Sequence, residues 1–303
     1  MSVKILSKND PKFEVKFAKE MRRIGACLVV DHGIPVGTIE AAYAEWMPET
    51  GGFFGWPLKA KQRLHWTKVS PKYDDPELGY YPLGSETGST HLRKNKGQRN
   101  ENEYYHVKQG VPWSYPCPHG FDASKRLAAM NKVLAFELID ILDRHGPSRK
   151  QAPHFGDLCA KMSPHKWSTF RWLHYPPYMV PGKPNEEVEL IKTHKDKGCL
   201  TTVISPSTSG LQVMDRKGKF HPVPCIKGGI IVQVGEGLEL LSNGYYFAGR
   251  HTVRGKRKNL QHDRVSAARF WHFKPEVQLT DTFTNGDMMR EYWRKKGLES
   301  KKK

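Results

Sequence analysis

The stretch Ile191–Leu200, IKTHKDKGCL, constrains this chain more than any other, once Arg250–Val253 (RHTV) and Arg264–Ser266 (RVS) are taken with it. His194 and Asp196 stand two apart. On an extended strand, residues i and i+2 share a face, so an imidazole and a carboxylate there can hold two adjacent corners of a metal. His251 follows 57 residues later and is placed to close the triangle from another strand. Two histidines and a carboxylate on one face of an octahedron leave the opposite face open for other ligands.

Alone, His-x-Asp is a weak signal; its setting strengthens it. The motif follows the β-rich run Phe170–Tyr175 and precedes Leu200–Ile204, a β-branched strand candidate. Thirteen residues after His251 come Arg264 and Ser266, again two apart. A guanidinium fork beside a hydroxyl can grip a carboxylate by paired hydrogen bonds. A ligand with one end in that grip and the other on the metal is a 2-oxo diacid. The two-His, one-carboxylate set with open positions is the pattern of non-haem Fe(II) oxygenase sites. His262 competes for the third ligand position, but two residues before Arg264 it would crowd the carboxylate grip, so His251 is preferred.

In chain order, Asp10-Pro11 reads as a helix N-cap and first helical residue. Phe13, Phe17, Met21 and Ile24 follow at helical spacing, and Gly25 stops the helix. Ala26–Val30 reads as a strand, Thr38–Met47 as a second helix and Leu58–Trp66 as a short third. Residues 70–120, rich in Pro, Gly and aromatics, read as functional loops. Asp122–His145 carries the apolar stripe of the longest helix, a core support. From Trp167 onward, short strands alternate with Gly and Pro turns, the pattern of a β-sandwich or barrel. The implied organisation is a helical and loop region over 1–120, supporting helices over 121–166, a β core over 167–276 and a C-terminal helix with a basic tail over 277–303.

The hydrophobic fraction, 38%, is enough for a packed core in 303 residues. The net charge of +18 gathers in 91–110, 250–264 and 290–303. Such runs are ordinarily solvated faces or tails; attraction of an anionic partner is the other reading. No stacking-aromatic RNA motif or zinc-finger spacing supports nucleic acid as that partner. Five scattered cysteines and no C-x-x-C argue against a disulfide framework and fit a reducing compartment. With no 18-residue apolar span, no membrane role is expected, and the chain reads as cytoplasmic.

Taken in order, the motifs resemble the 2-oxoglutarate/Fe(II)-dependent oxygenases of the isopenicillin-N-synthase-like group. RWLHYPP (171–177), HKDKGCLT (194–201), GLQV (210–213), GKFHPVP (218–224), RHTV, RVS and WHFKP (271–275) carry the likeness, with GACLVVDHGIP, GYYPLGSE and NENEYYHV in the N-terminal half. The resemblance implies a fold that is α+β with a mainly β core, a distorted double-stranded β-helix or jelly roll. It implies Fe(II) held by His194, Asp196 and His251, and 2-oxoglutarate held by Arg264, Ser266 and Tyr175, with O2 as co-reactant. Phe270, Tyr80, Tyr81 and Tyr104, with Met288–Trp293, are the implied substrate-pocket parts. Two residues depart from the family pattern: Lys195 replaces a threonine and should point away from the metal, and Gln233 stands where an asparagine is usual. The implied reaction oxidises a small molecule, by default through hydroxylation, with release of succinate and CO2. The basic run 250–264 adds a leaning toward an acidic substrate. Two rival readings are an oxidase or cyclase of the same fold that uses no 2-oxoglutarate, and a catalytically silent polyanion-binding protein.

Overall fold

The computed structural model describes residues 2–65, 67, 77–85, 101–108, 121–163 and 168–296. β1 (Lys4–Ser7) lies parallel to β2 (Ala26–Val30), and α1 (Phe13–Arg23) connects them. α1 begins two residues after Pro11 because Asp10 closes a turn instead of capping the helix. Its carboxylate accepts the Lys12 N–H at 2.8 Å and its carbonyl accepts that of Phe13 at 2.8 Å. Gly25 ends the helix region with φ +70°, and a Cβ there would stand 1.8 Å from the Phe247 carbonyl oxygen. Only glycine fits that approach.

α2 (Val36–Ala44) and α3 (Leu58–Gln62) are both shorter than the sequence spacing implies. α2 stops because the chain folds back on it. The carbonyls of Glu45 and Trp46 accept the N–H groups of Phe53 and Phe54, at 3.0 and 3.1 Å, in place of helical donors. Trp66 lies outside the described residues. The run read as loops contains two strands, β3 (Gly79–Tyr81) and β4 (Glu103–Lys108), and the rest of it is largely outside the described residues. These strands lack polar/apolar alternation because both faces are buried, polar residues included: Glu103, His106 and Lys108 are all buried. α4 (Asp122–Arg144) buries Leu127, Leu134, Leu138, Ile141 and Leu142, as its stripe implies.

After α5 (Leu158–Lys161) the chain forms β5 (Thr169–Tyr175), β6 (Glu187–His194), β7 (Leu200–Ile204), β8 (Leu211–Met214), β9 (Phe220–Pro222) and β10 (Ile230–Val234). α6 (Glu236–Leu241), β11 (His251–Lys256), β12 (Arg264–Trp271), the small hairpin β13 (Gln278–Thr280) and β14 (Phe283–Thr284), and α7 (Asn285–Lys296) complete the order. The large sheet runs β1-β2-β10-β7-β12-β5-β4-β3 and the small one β6-β11-β8-β9. Apart from β1 with β2, the strands in both sheets pair antiparallel.

Two cores divide the burial. Between the sheets, Leu173, Tyr175, Val203, Ile231 and Ala268 meet Val188, Leu190, Leu211, Val213 and Val253. On the other face of the large sheet, Trp172, Ile204, Val232 and Trp271 pack with Phe17, Trp46, Leu134 and Leu138 of the helical layer. Each such large side chain contributes roughly 1.5–3 kcal/mol by leaving water. Trp46 pins three elements: it stacks on Trp172 at 4.9 Å between centroids, and its indole N–H donates to Ser124 Oγ on α4 at 2.9 Å. This is a mainly β, two-sheet jelly roll whose mouth carries the ends of β6 and β11.

Candidate active site

His194 is the last residue of β6 and His251 the first of β11, and the antiparallel register makes them direct partners. Asp196 is not on the strand: β6 has ended, and the residue sits in the turn leading to β7. It joins the histidines because that turn is clamped. The Asp196 carbonyl accepts the Glu236 N–H at 2.7 Å, and the Cys199 N–H donates to the Trp271 carbonyl at 2.7 Å. Gly198 makes the clamp possible, since a Cβ there would lie 2.5 Å from the Trp271 carbonyl oxygen.

Asp196 Oδ1 lies 3.6 Å from Nε2 of His194 and 3.6 Å from Nε2 of His251. Donors that each sit about 2.1 Å from one ion are at most about 4.2 Å apart, so both spacings suit a shared metal. The other carboxylate oxygen, Oδ2, accepts the Thr201 hydroxyl at 2.6 Å. His194 Nδ1 is 2.7 Å from the Lys192 carbonyl, which fixes the proton on Nδ1 and leaves Nε2 as the donor toward the centre. Burial acts to raise the Asp196 carboxyl. The imidazoles of His251 and His194 and the Thr201 hydroxyl outweigh it and hold the group below the usual carboxylate range. Among the described residues, His194, Asp196 and His251 form a group of potential metal donors with all ligand atoms within 4.8 Å of one another. His262, the rival, is exposed and precedes β12 instead of lying on it.

Arg264 and Ser266 share one face of β12 and are both buried. Arg264 Nη1 donates to Ser266 Oγ at 3.5 Å, and Nε to the Thr208 carbonyl at 3.3 Å. Tyr175 is the direct cross-strand partner of Arg264, and the guanidinium carbon sits 4.7 Å from its ring centroid. The three residues therefore form one cluster on the inner face of the large sheet, suited to a carboxylate.

Further along the same face, Phe270 lines a cavity of about 440 Å³ shared with His194 and Asp196. Met289 and Tyr292 of α7 also line it. Tyr80, Tyr81 and Tyr104, expected in the pocket, are absent from its wall. Tyr80 turns into the helical-layer core and donates its hydroxyl to Glu103, while Tyr81 and Tyr104 stack on each other at 4.5 Å in the inter-sheet core. Lys195 reaches the cavity wall and pairs with Glu239 of α6. Two cations of the basic run around His251 are paired by β6 and the residue before it. Arg254 pairs with Glu189 at 2.9 Å and Arg257 with Glu186 at 2.8 Å, and of that run's cations Arg250 lines the cavity.

Sequence reasoning missed several wall residues, chiefly Arg171 and His272. His272 is buried, and its Nδ1 has no hydrogen-bond partner among the described residues. Burial first, then the charge of Lys108, push its imidazole down to about 4. Gln233 is likewise buried, and its Oε1 has no partner among the described residues. His106 is held by the Glu77 carbonyl at 2.6 Å and also faces the cavity. A period-two count from RWLHYPP would have placed Arg171 on the face of Tyr175.

Known proteins resemble this chain in sequence and in fold. The family model for the 2OG-Fe(II) oxygenase superfamily matches residues 167–273, the span holding all six expected metal and cosubstrate residues. A proline hydroxylase from Petromyces alliaceus is 28% identical over 269 residues, covering 82% of this chain and 78% of that protein. A candidate oxygenase from Shewanella oneidensis superposes with a TM-score of 0.77 at 23% identity, covering 99% of this chain and 100% of that one. The dioxygenase for auxin oxidation of Arabidopsis thaliana, solved with 2-oxoglutarate, gives 0.64 at 17% identity over 92% of this chain and 98% of its own. Over residues 167–273 the chain matches the 2OG-Fe(II) oxygenase superfamily, and its fold along nearly the whole length is that of solved oxygenases.

Proposed function

We propose that this enzyme is of the isopenicillin-N-synthase-like group and hydroxylates a small molecule held in the cavity beside His194 and Asp196. In this reading His194 Nε2, Asp196 Oδ1 and His251 Nε2 hold Fe(II), and Arg264 and Ser266 grip the distal carboxylate of 2-oxoglutarate with Tyr175 flanking them. The convergence of two imidazole nitrogens on one carboxylate oxygen, each at 3.6 Å, carries the reading. When bound, the ferrous ion and 2-oxoglutarate supply the activation of O2, with succinate and CO2 as coproducts.

The chain's own residues hold and screen the reactants and move few protons. The Lys192 carbonyl and the Thr201 hydroxyl orient the metal donors before any ion arrives. Arg264 presents its donors in a planar fork, so it acts as a fixed clamp. Phe270, Met289 and Tyr292 give the cavity apolar walls that exclude water and leave the substrate few orientations. The free cysteines Cys27, Cys159, Cys199 and Cys225 are consistent with a cytoplasmic setting, and no described helix is long and apolar enough to cross a membrane. The test is a screen of candidate small molecules for succinate release under Fe(II), O2 and 2-oxoglutarate. The reading requires a substrate whose hydroxylation matches succinate formed one for one; hydroxylation that proceeds without 2-oxoglutarate would contradict it.

A further inference from the structure

Arg171 sits on β5 between His106 on β4 and Ala268 on β12, its direct cross-strand partners. Its side chain lines the same cavity as His194 and Asp196. The guanidinium carbon lies 4.5 Å from the Tyr104 ring centroid and 5.1 Å from that of Phe270. Nε donates to His106 Nε2 at 2.6 Å, which places the His106 proton on Nδ1, the atom 2.6 Å from the Glu77 carbonyl. An arginine held by two rings and a backbone-anchored histidine is oriented before a ligand arrives, so little entropy is lost when it binds one.

The wall around it is strongly cationic. Among the described residues, seven Lys or Arg side chains line the cavity against three Asp or Glu, and of the seven Lys195, Lys197 and Lys295 are paired with Glu239, Glu236 and Glu291. All three acids are already engaged: Glu77 lies 3.9 Å from Lys108, Glu236 pairs with Lys197, and Asp196 stands between two imidazoles. An excess of one sign in a partly enclosed, low-dielectric space concentrates ligands of the other. At about 440 Å³ the space suits a small molecule. Arg264 and Ser266 are not among the described residues that line this cavity, and Arg171 and Arg264 stand on different strands, β5 and β12.

We propose that Arg171 anchors an anionic group of the substrate, a carboxylate or a phosphate, in the cavity beside His194 and Asp196. Arg171 is thus a specificity-determining residue, and the enzyme acts on organic acids or phosphate esters in preference to their neutral counterparts. This rests on the oxygenase reading of the same cavity.

The test uses the full chain loaded with Mn(II) and 2-oxoglutarate. Binding is measured by ligand-observed NMR for matched pairs with aliphatic, aromatic and heterocyclic bodies: carboxylic acids against their primary amides, and phosphate monoesters against the parent alcohols. The proposal predicts that members of one anionic series bind, with the neutral partner roughly 30-fold weaker or more. Arg171→Gln removes most of that gap, Arg171→Lys keeps part of it, and both variants take up Mn(II) and 2-oxoglutarate as the parent does. Which series binds tells carboxylate from phosphate. The proposal is overturned if a loaded protein binds neither series, binds both members of each pair equally, or keeps the gap in Arg171→Gln. It is also overturned if Arg171→Gln loses 2-oxoglutarate instead. A parent protein that takes up no Mn(II) contradicts the oxygenase reading and the inference with it, a failure visible before any pair is tested.

Discussion

His194 and His251 face each other across the β6–β11 ladder with ring centroids 4.3 Å apart, but they hold unequal places in the fold. β6 is the edge of the small sheet, and the His194 side chain is 43% exposed. β11 is internal, paired to β8 on its other side, and the His251 side chain is 9% exposed. His194→Ala should therefore abolish metal binding while changing metal-free stability by less than about 0.5 kcal/mol. His251→Ala should abolish metal binding and also lower stability by about 1 kcal/mol or more. Urea unfolding of the metal-free proteins checks the difference.

Thr201 holds the Asp196 oxygen that does not face the imidazoles. Thr201→Val keeps the shape and removes the hydroxyl. Outer hydrogen bonds of this kind are worth roughly 10–100-fold in metal affinity. A Mn(II) titration should show that loss with no change in the circular dichroism spectrum.

For the carboxylate clamp, Arg264→Lys keeps the charge and loses the planar fork. The KM for 2-oxoglutarate should rise roughly 30-fold or more, on the scale of a truncated buried charge pair. Ser266→Ala should raise it less, roughly 10-fold, as befits one hydroxyl donated to a carboxylate. Steady-state kinetics with varied 2-oxoglutarate measure both, and a parent-like KM in Arg264→Lys would mean that charge alone governs binding.

His272 supplies a pH dependence of stability. Its folded imidazole titrates at about 4, below an ordinary value of 6.5. The unfolded chain therefore binds more protons in that window, so this contribution is complete above about 6.5 and is lost as pH falls toward 4. The size is on the order of 3 kcal/mol. In urea melts of the metal-free protein, the parent should lose stability between pH 6.5 and 4, and His272→Phe should lose less.

The pairs His194–His251 and Arg264–Ser266 were legible because strand spacing brings each pair together. The route by which Asp196 reaches the histidines was not. It depends on contacts of the Gly198 turn with Trp271 and Glu236, far along the chain. β3 and β4 escaped notice because buried charges such as Glu103, held by Lys61 and His174, break the alternation that marks strands. Of the six cations in the basic run near His251, Glu186 and Glu189 pair with Arg257 and Arg254, and Arg250 lines the cavity. The cationic cavity rests on residues scattered from Arg171 to Lys296, which no local pattern groups together.

An anaerobic titration of the metal-free chain with Fe(II) and then 2-oxoglutarate tests the central claim most directly. The parent should bind one ferrous ion and then one 2-oxoglutarate, while Asp196→Ala binds iron at least roughly 100-fold more weakly and no longer shows iron-dependent uptake of the cosubstrate. Parent-like iron affinity in Asp196→Ala, or a parent chain that binds iron and never 2-oxoglutarate, would contradict the account.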